Sequence, residues 1–225
     1  LHTIPPNSQG YLTLGAARLA TAIGLPDDTD DPAWAHLLVE CATAAGQDRP
    51  AVLHEGADGD ALLAAIDGRV GEIDRDRASG RWSPGLEGDT TYLCTVDGDG
   101  MGVSLIQSNA AGFGSWLAEP NTGINLHNRG LGFSLEPGHP AELAPGRRPP
   151  HTLSPALATR DGRLASVFGT MGGASMIGLG LALAQPKRKV LVITGDGEML
   201  MNVGSLAPIA VEAPKNLTIA VLDNE

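Results

Sequence analysis

The stretch of sequence that decides the fold is residues 90–100, which read TTYLCTVDGDG. Residues 90–97 are rich in β-branched and aromatic side chains and predict a strand, and residues 101–108 predict a second strand. Between them lies Gly98-Asp99-Gly100, and glycine and aspartate accept the backbone angles of a tight hairpin turn. The sequence therefore predicts an antiparallel hairpin that begins at Thr90.

Thr90 is a candidate nucleophile. A threonine hydroxyl is by itself a poor nucleophile, but cleavage of the peptide bond before it would free an α-amine that can take its proton. The polar residues 74–88, which are punctuated by Gly and Pro, predict a linker in which a chain can be cut. The alternative is a strand threonine with no chemical role, which is where most Thr-Thr pairs belong.

The composition is that of a globular chain, and its charge narrows the choice of partners. With 42% hydrophobic residues, 225 residues suffice for one large core or two small ones. The net charge of −11 argues against nucleic acid and anionic membranes as partners, and no apolar run is long enough to span a bilayer. No signal peptide is evident, and the chain begins at Leu1 rather than Met, so the true N-terminus is expected to be missing and the compartment stays unknown.

The two cysteines, Cys41 and Cys94, lie in apolar patterns without a CxxC spacing or a nearby histidine. We therefore expect buried free thiols rather than a disulfide or a metal site.

Helices dominate the first part of the chain, and strands follow. Helices are predicted over residues 9–24, from Asp31 onward, and over residues 58–73. The second of these carries its apolar stripe at Ala35, Leu38, Val39 and Ala42. After the first hairpin we expect a short strand at residues 124–128, a loop at 133–150, and a second hairpin formed by residues 153–159 and 164–170.

The pattern changes after Gly173. Residues 174–184 are apolar all round and predict a buried helix, and residues 189–194 and 217–222 predict buried strands on either side of a helix at 198–212. Such a β-α-β unit would place Gly195-Asp196-Gly197 at the carboxyl end of its first strand, where parallel sheets bind ligands.

Five segments in order give residues 5–173 a resemblance to the γ-glutamyltransferase family. They are residues 5–12 (PPNSQGYL), 90–100, 123–128 (GINLHN), 148–155 (RPPHTLSP) and 169–173 (GTMGG). The resemblance implies an α/β fold, a remnant of the αββα sandwich of N-terminal-nucleophile hydrolases. Residues 1–89 would be a large-subunit-like helical segment with its linker, and residues 90–171 a small-subunit-like β core.

The same resemblance implies roles for particular residues. Thr90 would be the nucleophile after self-cleavage, with its own α-amine as the base, and the backbone N–H groups of Gly172 and Gly173 would stabilise the tetrahedral oxyanion. Asn109 would contact the substrate. The family usually has a threonine two residues before this asparagine, and Ser108 is its possible substitute here.

Three departures from the family pattern bear on the substrate. Arg129 stands where the family has Gln or Glu, Gly132 falls where an acid would hold the substrate's α-amino group, and His151-Thr152 replaces two serines that bind a carboxylate. An arginine without an acid beside it suits a carboxylate better than an ammonium group. The resemblance therefore leans toward the acylase-like branch, which acts on glutaryl-type or other acyl amides.

Residues 172–225 resemble a different family, the thiamine-diphosphate enzymes. The resemblance lies in TGDGE at residues 194–198, LDNE at 222–225, and IGLGLALA at 177–184. It implies Asp196 and Asn224 as Mg²⁺ ligands, and Gly195 and Gly197 beside the diphosphate. The third metal ligand would follow Asn224, and the catalytic glutamate would come from another domain or subunit.

Three interpretations stay open because the two resemblances meet at residues 171–173. The first is an autoprocessing N-terminal-threonine acyl transferase or amidohydrolase that acts on a small-molecule amide or peptide. The second is a fragment of a 2-oxo-acid decarboxylase that binds thiamine diphosphate and Mg²⁺. The third is an inactive chimeric fragment, and a missing subunit or domain is compatible with all three.

Overall fold

The computed structural model describes residues 1–28, 31–80, 90–169, 187, 189–195 and 214–222, with the side chains of 190–195 and 220–222 excepted. Two compact units make up the chain. The first unit is Leu1–Ser83 with Arg129–Gly162, and the second unit is Pro84–Asn128 with Arg163–Glu225. The division into three segments that the sequence suggested, at residues 1–89, 90–171 and 172–225, stays a prediction.

The first unit is built mainly from helices. Its elements are β1 (His2–Thr3), α1 (Tyr11–Ile23), α2 (Pro32–Gly46), α3 (Arg49–Val52) and α4 (Gly59–Asp67), 3-10 turns at Val70–Glu72 and Arg129–Gly132, and a later strand, β4 (Pro155–Arg160). The second unit contains β2 (Thr90–Val96), β3 (Gly102–Ser108), β5 (Arg163–Gly169), β6 (Val190–Gly195) and β7 (Leu217–Leu222). Among the described residues, no helix combines the length and the apolar character that crossing a bilayer demands.

Local capping explains where the helices of the first unit begin and end. The side chain of Asp31 accepts a hydrogen bond from Ala33 N at 2.9 Å at the start of α2, and Asp58 caps α4 in the same way. Helix α1 ends at Gly24, whose φ of 73° lies in the left-handed region that favours glycine. The third predicted helix is shorter than expected, because α4 ends at Asp67 and only a 3-10 turn follows.

The core of the first unit lies between α1, α2 and α4. Its largest fully buried apolar side chains are Leu19, Leu37, Cys41, Leu53 and Ile66. At Gly15 the helices approach so closely that a Cβ atom would lie 2.6 Å from Cδ1 of Ile66. A larger residue at position 15 would therefore force the Ile66 side chain to shift.

The predicted apolar stripe of α2 is wrong at two of its four positions, whereas Leu38 packs against the core and Ala35 is half-buried. The buried residues are Leu37, Glu40, Cys41, Ala44 and Ala45, and the predicted Val39 and Ala42 are exposed. Glu40 conceals this pattern in the sequence because it is a charged residue on the core side. Its carboxylate accepts a hydrogen bond from Ser79 N at 3.1 Å, which satisfies it there.

Arg69 is a buried cation that closes the C-terminal end of α2. Its guanidinium donates to the carbonyl oxygens of Ala44 and Ala45, at 2.8 and 3.3 Å, and forms an ion pair with Asp48. These carbonyls belong to the last turn of a helix, where no intrahelical donor is available to them. Arg69 therefore satisfies three acceptors in one place.

We expect Arg69→Met to lower the free energy of unfolding by about 2–4 kcal/mol, because it leaves the two carbonyls and the Asp48 carboxylate without their donor. Urea denaturation followed by circular dichroism measures this change. The matched control is Arg18→Met, since Arg18 pairs with Asp67 at 2.9 Å with both side chains about half exposed, and it should cost less than about 1 kcal/mol. Equal effects of the two substitutions would contradict the structural role of Arg69.

Two of the resemblance segments, residues 5–12 and 148–155, lie side by side in the first unit. Gln9 N donates to His151 O and His151 N donates to Asn7 O, both at 3.0 Å. The hydroxyl of Ser8 donates to Leu153 O at 2.6 Å. Strand β1 continues the association by pairing antiparallel with β4, with Thr3 opposite Ala156.

The predicted hairpin at Thr90 is present in the second unit. Strands β2 and β3 pair antiparallel from Thr90 opposite Ser108 to Val96 opposite Gly102. Strand β5 packs on one face of the hairpin, where Ser104 Oγ donates to Phe168 O at 3.0 Å. Strands β4 and β5 flank the expected turn at Asp161 and Gly162, both with positive φ.

Two expectations for the second unit are wrong. Cys41 is a buried free thiol as expected, but Cys94 is exposed, because β2 is exposed from Leu93 to Val96. Residues 124–128 do not form a strand, and only Asn125 makes an isolated bridge, to Ala118. This segment instead belongs to a loop whose turn is held by the Glu119 carboxylate, which accepts from Thr122 N at 2.7 Å and from the Thr122 hydroxyl at 2.8 Å.

The two strands expected near the C-terminus form a parallel pair. Strand β6 runs beside β7 from Val190 opposite Leu217 to Gly195 opposite Leu222. The helices predicted at residues 174–184 and 198–212 lie outside the described residues.

Candidate functional site

Thr90 is the first residue of β2, and its partner across the hairpin is Ser108. Directly opposed side chains of an antiparallel pair lie on the same face, so the two hydroxyl groups are neighbours. Gln107 is opposite Thr91 and therefore belongs to the other face. The hairpin thus places Ser108, the suggested substitute for the family's threonine, beside Thr90. The catalytic role of Thr90 stays a prediction.

The chain leaves β3 through a strained loop that contains Asn109. Ala110 has a φ of 79°, in the left-handed region that residues with a Cβ rarely adopt. Its backbone N–H donates to Ser108 Oγ at 3.0 Å, and Asn109 O accepts from Asn128 N at 3.1 Å. Backbone strain next to a predicted substrate contact is the expected mark of a loop held in one conformation for function.

Asn128 clamps this loop, a role that the sequence did not reveal. Its side-chain oxygen accepts from Ala111 N at 2.9 Å, and its side-chain nitrogen donates to Ala111 O at 3.2 Å and to Gly114 O at 3.0 Å. A Cβ atom at Gly114 would lie 3.2 Å from the Cβ of Asn109 and 2.5 Å from Leu126 O. The position of Asn109 therefore depends on Asn128 and on the absence of a side chain at Gly114.

We expect Asn128→Ala to destabilise the loop by about 1–3 kcal/mol, because the Gly114 carbonyl and the Ala111 N–H lose their side-chain partner, while the Ala111 carbonyl keeps only its bond from Gly114 N. Faster hydrogen exchange at the amides of Ala111 and Gly114 would measure the change. The control is Asn125→Ala, since Asn125 makes a single exposed hydrogen bond, to Phe113 O at 2.8 Å. Unchanged exchange at Ala111 in the Asn128 variant would exclude the clamp.

Three further predicted site residues, Arg129, His151 and Thr152, come together in the first unit. Arg129 Nη1 donates to Thr152 Oγ1 at 3.4 Å. Burial lowers the pKa of His151, and the charges of Arg129, Arg49 and Arg148 lower it further. His151 is therefore held in its neutral form by its surroundings.

Gly132 stands at the position where the resemblance would place an acidic residue. A Cβ atom there would lie 2.5 Å from Pro150 O. An acidic side chain therefore does not fit at Gly132 unless the backbone moves, which leaves Arg129 without a carboxylate from this position.

Of the remaining predicted site residues, the structure describes only Gly195. Gly195 ends β6 opposite Leu222, and Gly172, Gly173, Asp196, Gly197 and Asn224 lie outside the described residues. Within the part of the chain that is described, no group of three His, Cys, Asp or Glu residues is placed to hold a metal ion. The roles of Asp196 and Asn224 as metal ligands stay predictions.

The fold is that of the α/β acylases with an N-terminal nucleophile. It resembles cephalosporin acylase from Bacillus halodurans with a TM-score of 0.64 and 26% identity, over 99% of this chain and 44% of that one. The gamma-glutamyltranspeptidase family model matches residues 1–184, and the chain belongs to this family. The first resemblance inferred from the sequence is thus confirmed.

Curated relatives agree with this assignment. The chain is 38% identical over 181 residues to the oxamate amidohydrolase proenzyme of Klebsiella pneumoniae, which covers 77% of this chain and 34% of that protein. A glutathione hydrolase-like proenzyme of Bacillus subtilis is 33% identical over 202 residues, or 86% of this chain and 36% of that protein. The chain therefore spans about a third of the length of these relatives.

The C-terminal part has a second relationship, and the second resemblance is confirmed as well. The model of the C-terminal TPP binding domain of thiamine pyrophosphate enzymes matches residues 149–225. Sulfopyruvate decarboxylase subunit beta of Methanothermobacter thermautotrophicus is 55% identical over 58 residues, which is 26% of this chain and 31% of that protein. The chain thus joins segments that are similar to two different families.

Proposed function

We propose that this chain is part of an autoprocessing amidohydrolase or acyl transferase in which Thr90 is the nucleophile. The observation that carries the proposal is the position of Thr90 at the first residue of β2, opposite Ser108. Membership of the gamma-glutamyltranspeptidase family and the designation of two relatives as proenzymes support it. Residues beyond this chain, as a further domain or subunit, would complete the enzyme.

Self-cleavage would create the catalytic base. The Thr90 hydroxyl adds to the carbonyl carbon of Asp89, the C–N bond breaks, and the acyl group moves from nitrogen to oxygen as an ester. Water hydrolyses this ester, which leaves a free carboxylate at Asp89 and a free α-amine at Thr90. The amine then accepts the proton of the neighbouring hydroxyl in each turnover.

Amide hydrolysis would follow the same pattern. The Thr90 oxygen attacks the substrate's carbonyl carbon, the leaving amine takes the proton that the α-amine received, and the resulting acyl ester is hydrolysed by water. The N–H groups of Gly172 and Gly173 are the proposed donors to the oxyanion, where each such donor contributes about 2.7–4 kcal/mol. Ser108 is proposed to orient the Thr90 hydroxyl, and Asn109 to contact the substrate.

The proposed substrate is an amide whose acyl group carries a carboxylate. Arg129 and Thr152 are hydrogen bonded, burial and the positive charges of three arginines lower the pKa of His151, and Gly132 leaves no room for an acid. These features favour a carboxylate of a glutaryl-type acyl group over the ammonium group of a γ-glutamyl substrate. The relatives named for oxamate and cephalosporin are compatible with this class.

Self-cleavage is tested by the mass of the purified chain after incubation. We expect two fragments, of which the second begins at Thr90, because an N–O acyl shift needs the hydroxyl of that residue. Thr90→Ala should stay a single chain. Thr91→Ala should still cleave, since Thr91 belongs to the opposite face of the hairpin. An intact wild-type chain after long incubation, or cleavage of the Thr90 variant, would exclude the proposal.

A second function is favoured by the parallel pairing of β6 and β7. Gly195 ends one strand and Leu222 its neighbour, so Asp196 and Asn224 follow two adjacent carboxyl ends, where parallel sheets bind ligands. We propose that residues 172–225 form a Rossmann-like β-α-β unit related to thiamine-diphosphate enzymes. Asp196 and Asn224 would hold Mg²⁺ and the glycines would approach the diphosphate, while the cofactor supplies the carbanion chemistry of 2-oxo-acid decarboxylation.

Isothermal calorimetry with thiamine diphosphate tests this unit. We expect weak binding that requires Mg²⁺ and is lost in Asp196→Ala, because two oxygen ligands make a sparse coordination shell for the metal. Binding of equal strength in the Asp196 variant would contradict the assignment. An intact chain that also binds no cofactor would instead support the third interpretation, an inactive chimera.

A further inference from the structure

A cavity of about 480 Å³ lies within the first unit, and its lining residues have no role in the proposed reaction. One wall is the segment that follows α3, with His54, Glu55 and Gly56. The other wall comes from the loop between Phe133 and Arg148. Ligand pockets in proteins commonly have volumes of about 300–1,000 Å³. The cavity therefore has room for a small molecule together with ordered water.

An ion pair between Glu55 and Arg148 joins the two walls. The Glu55 carboxylate accepts hydrogen bonds from Arg148 N at 2.8 Å and from Arg148 Nε at 2.6 Å. These hydrogen bonds lower the pKa of Glu55, and the positive charge of Arg147 lowers it further. Glu55 and Arg148 thus satisfy each other, and Arg147 lines the same cavity without a share in their hydrogen bonds.

Backbone hydrogen bonds within the loop fix the shape of the second wall. Ser134 N donates to Ala141 O at 2.8 Å, and Leu143 N donates to Ser134 O at 2.9 Å. The Arg147 guanidinium donates to Glu142 O at 3.3 Å, so these two lining residues are direct neighbours. The loop therefore holds a cation and an anion side by side at the cavity.

Three polar groups that line the cavity keep part of their hydrogen-bonding capacity. In the described part of the chain, Arg147 donates through one guanidinium nitrogen, to two carbonyl oxygens, and pairs with no carboxylate. Glu142 there uses one carboxylate oxygen, which accepts from Gly138 N at 3.0 Å. His54 Nδ1 accepts from Gly56 N at 3.1 Å, which places the ring proton on Nε2. A guanidinium, a carboxylate oxygen and an imidazole N–H thus remain for a ligand.

The cavity also has an apolar part. Phe133 is half-buried and Ala141 is 5% exposed, and both line the cavity. Aromatic rings pack favourably against one another, so Phe133 suits an aromatic side chain of a ligand. The charged groups exclude a simple ion of either sign, because Glu142 repels an anion and Arg147 repels a cation. A ligand that carries both charges and an apolar group matches the whole lining.

We propose that this cavity binds a zwitterionic amino acid with an aromatic side chain. The carboxylate of the ligand pairs with Arg147 and accepts a hydrogen bond from His54 Nε2. Its ammonium group pairs with Glu142, and its side chain packs against Phe133. The site goes beyond the proposed function and does not depend on it, because binding neither forms nor breaks a bond at Thr90.

Calorimetric titration of the intact wild-type chain with L-phenylalanine tests the site. This ligand contains no amide bond, so the heat reports binding whether or not Thr90 is active. We expect one L-phenylalanine per chain with a Kd of about 0.1–1 mM. The compound 3-phenylpropionate lacks the ammonium group and 2-phenylethylamine lacks the carboxylate, and each should bind at least about fivefold more weakly because one charged pair is lost.

Substitutions in the chain assign each charge of the ligand to its partner. Arg147→Gln should weaken binding of L-phenylalanine at least about fivefold, and Glu142→Gln about threefold or more. Glu142→Gln should not weaken binding of 3-phenylpropionate, which has no ammonium group. Arg147→Lys keeps the charge and should recover part of the affinity, which guards against misfolding of the glutamine variant. The matched control is Arg160→Gln, since Arg160 is also exposed but lies outside the lining, and we expect less than about a twofold change.

Backbone amide resonances locate the ligand in the chain. L-Phenylalanine should shift the amide resonances of Gly56 and Ala141, which line the cavity, and leave that of Gly15 in α1 unchanged. Absence of heat and of these shifts at about 10 mM ligand would overturn the site. Equal losses in the Arg147 and Arg160 variants, or equal affinities for L-phenylalanine and 3-phenylpropionate, would overturn it as well.

The outcomes separate this site from the proposed reaction. Binding of L-phenylalanine that depends on Arg147 and Glu142 supports the site even in a chain that fails to cleave itself. A chain that cleaves at Thr90 but does not bind L-phenylalanine would overturn the site and leave the reaction in place.

Discussion

The antiparallel register of β2 and β3 places Thr90 opposite Ser108, and the candidate nucleophile depends on this pairing. Side chains alternate between the two faces of a strand, so a slip of one residue would exchange Thr90 for Thr91. The turn opposes such a slip, because the Asp97 carboxylate accepts hydrogen bonds from Asp99 N at 3.0 Å and Met101 N at 2.8 Å. The turn chemistry thus fixes the face on which the hydroxyl of Thr90 lies.

Two arginines of the first unit differ in how far the fold satisfies their hydrogen bonds. Arg69 donates to two carbonyls and an Asp48 carboxylate, and all of these belong to the fold. Arg49 is also desolvated, since burial lowers its pKa, yet its Nε has no acceptor in the described part of the chain. A buried cation whose hydrogen bonds the fold satisfies stabilises the fold, whereas a donor that is left without an acceptor costs desolvation energy that the fold does not offset.

The sequence was most informative where local chemistry alone determines structure. The hairpin at Gly98-Asp99-Gly100 follows from turn residues, and α2 begins as Asp31-Pro32 predicts. Tertiary contacts decided the rest. The helical phase of α2 escaped prediction because Glu40 is buried against the Ser79 N–H, and α3 escaped because four residues are too few to show a period. Asn128 and Arg69 act through partners that are distant in the sequence, which periodicity cannot reveal.

The two family relationships overlap on residues 149–184, and they place different physical demands on the chain. An N-terminal nucleophile needs a backbone break before Thr90 and free N–H groups for an oxyanion. A diphosphate-metal site needs hard oxygen ligands at the ends of neighbouring parallel strands. The Thr90 hairpin is antiparallel, whereas β6 and β7 form a parallel pair. Each pair of strands therefore suits only one of the two kinds of site. Because the groups do not substitute for one another, each of the two proposed activities can be lost or retained independently of the other.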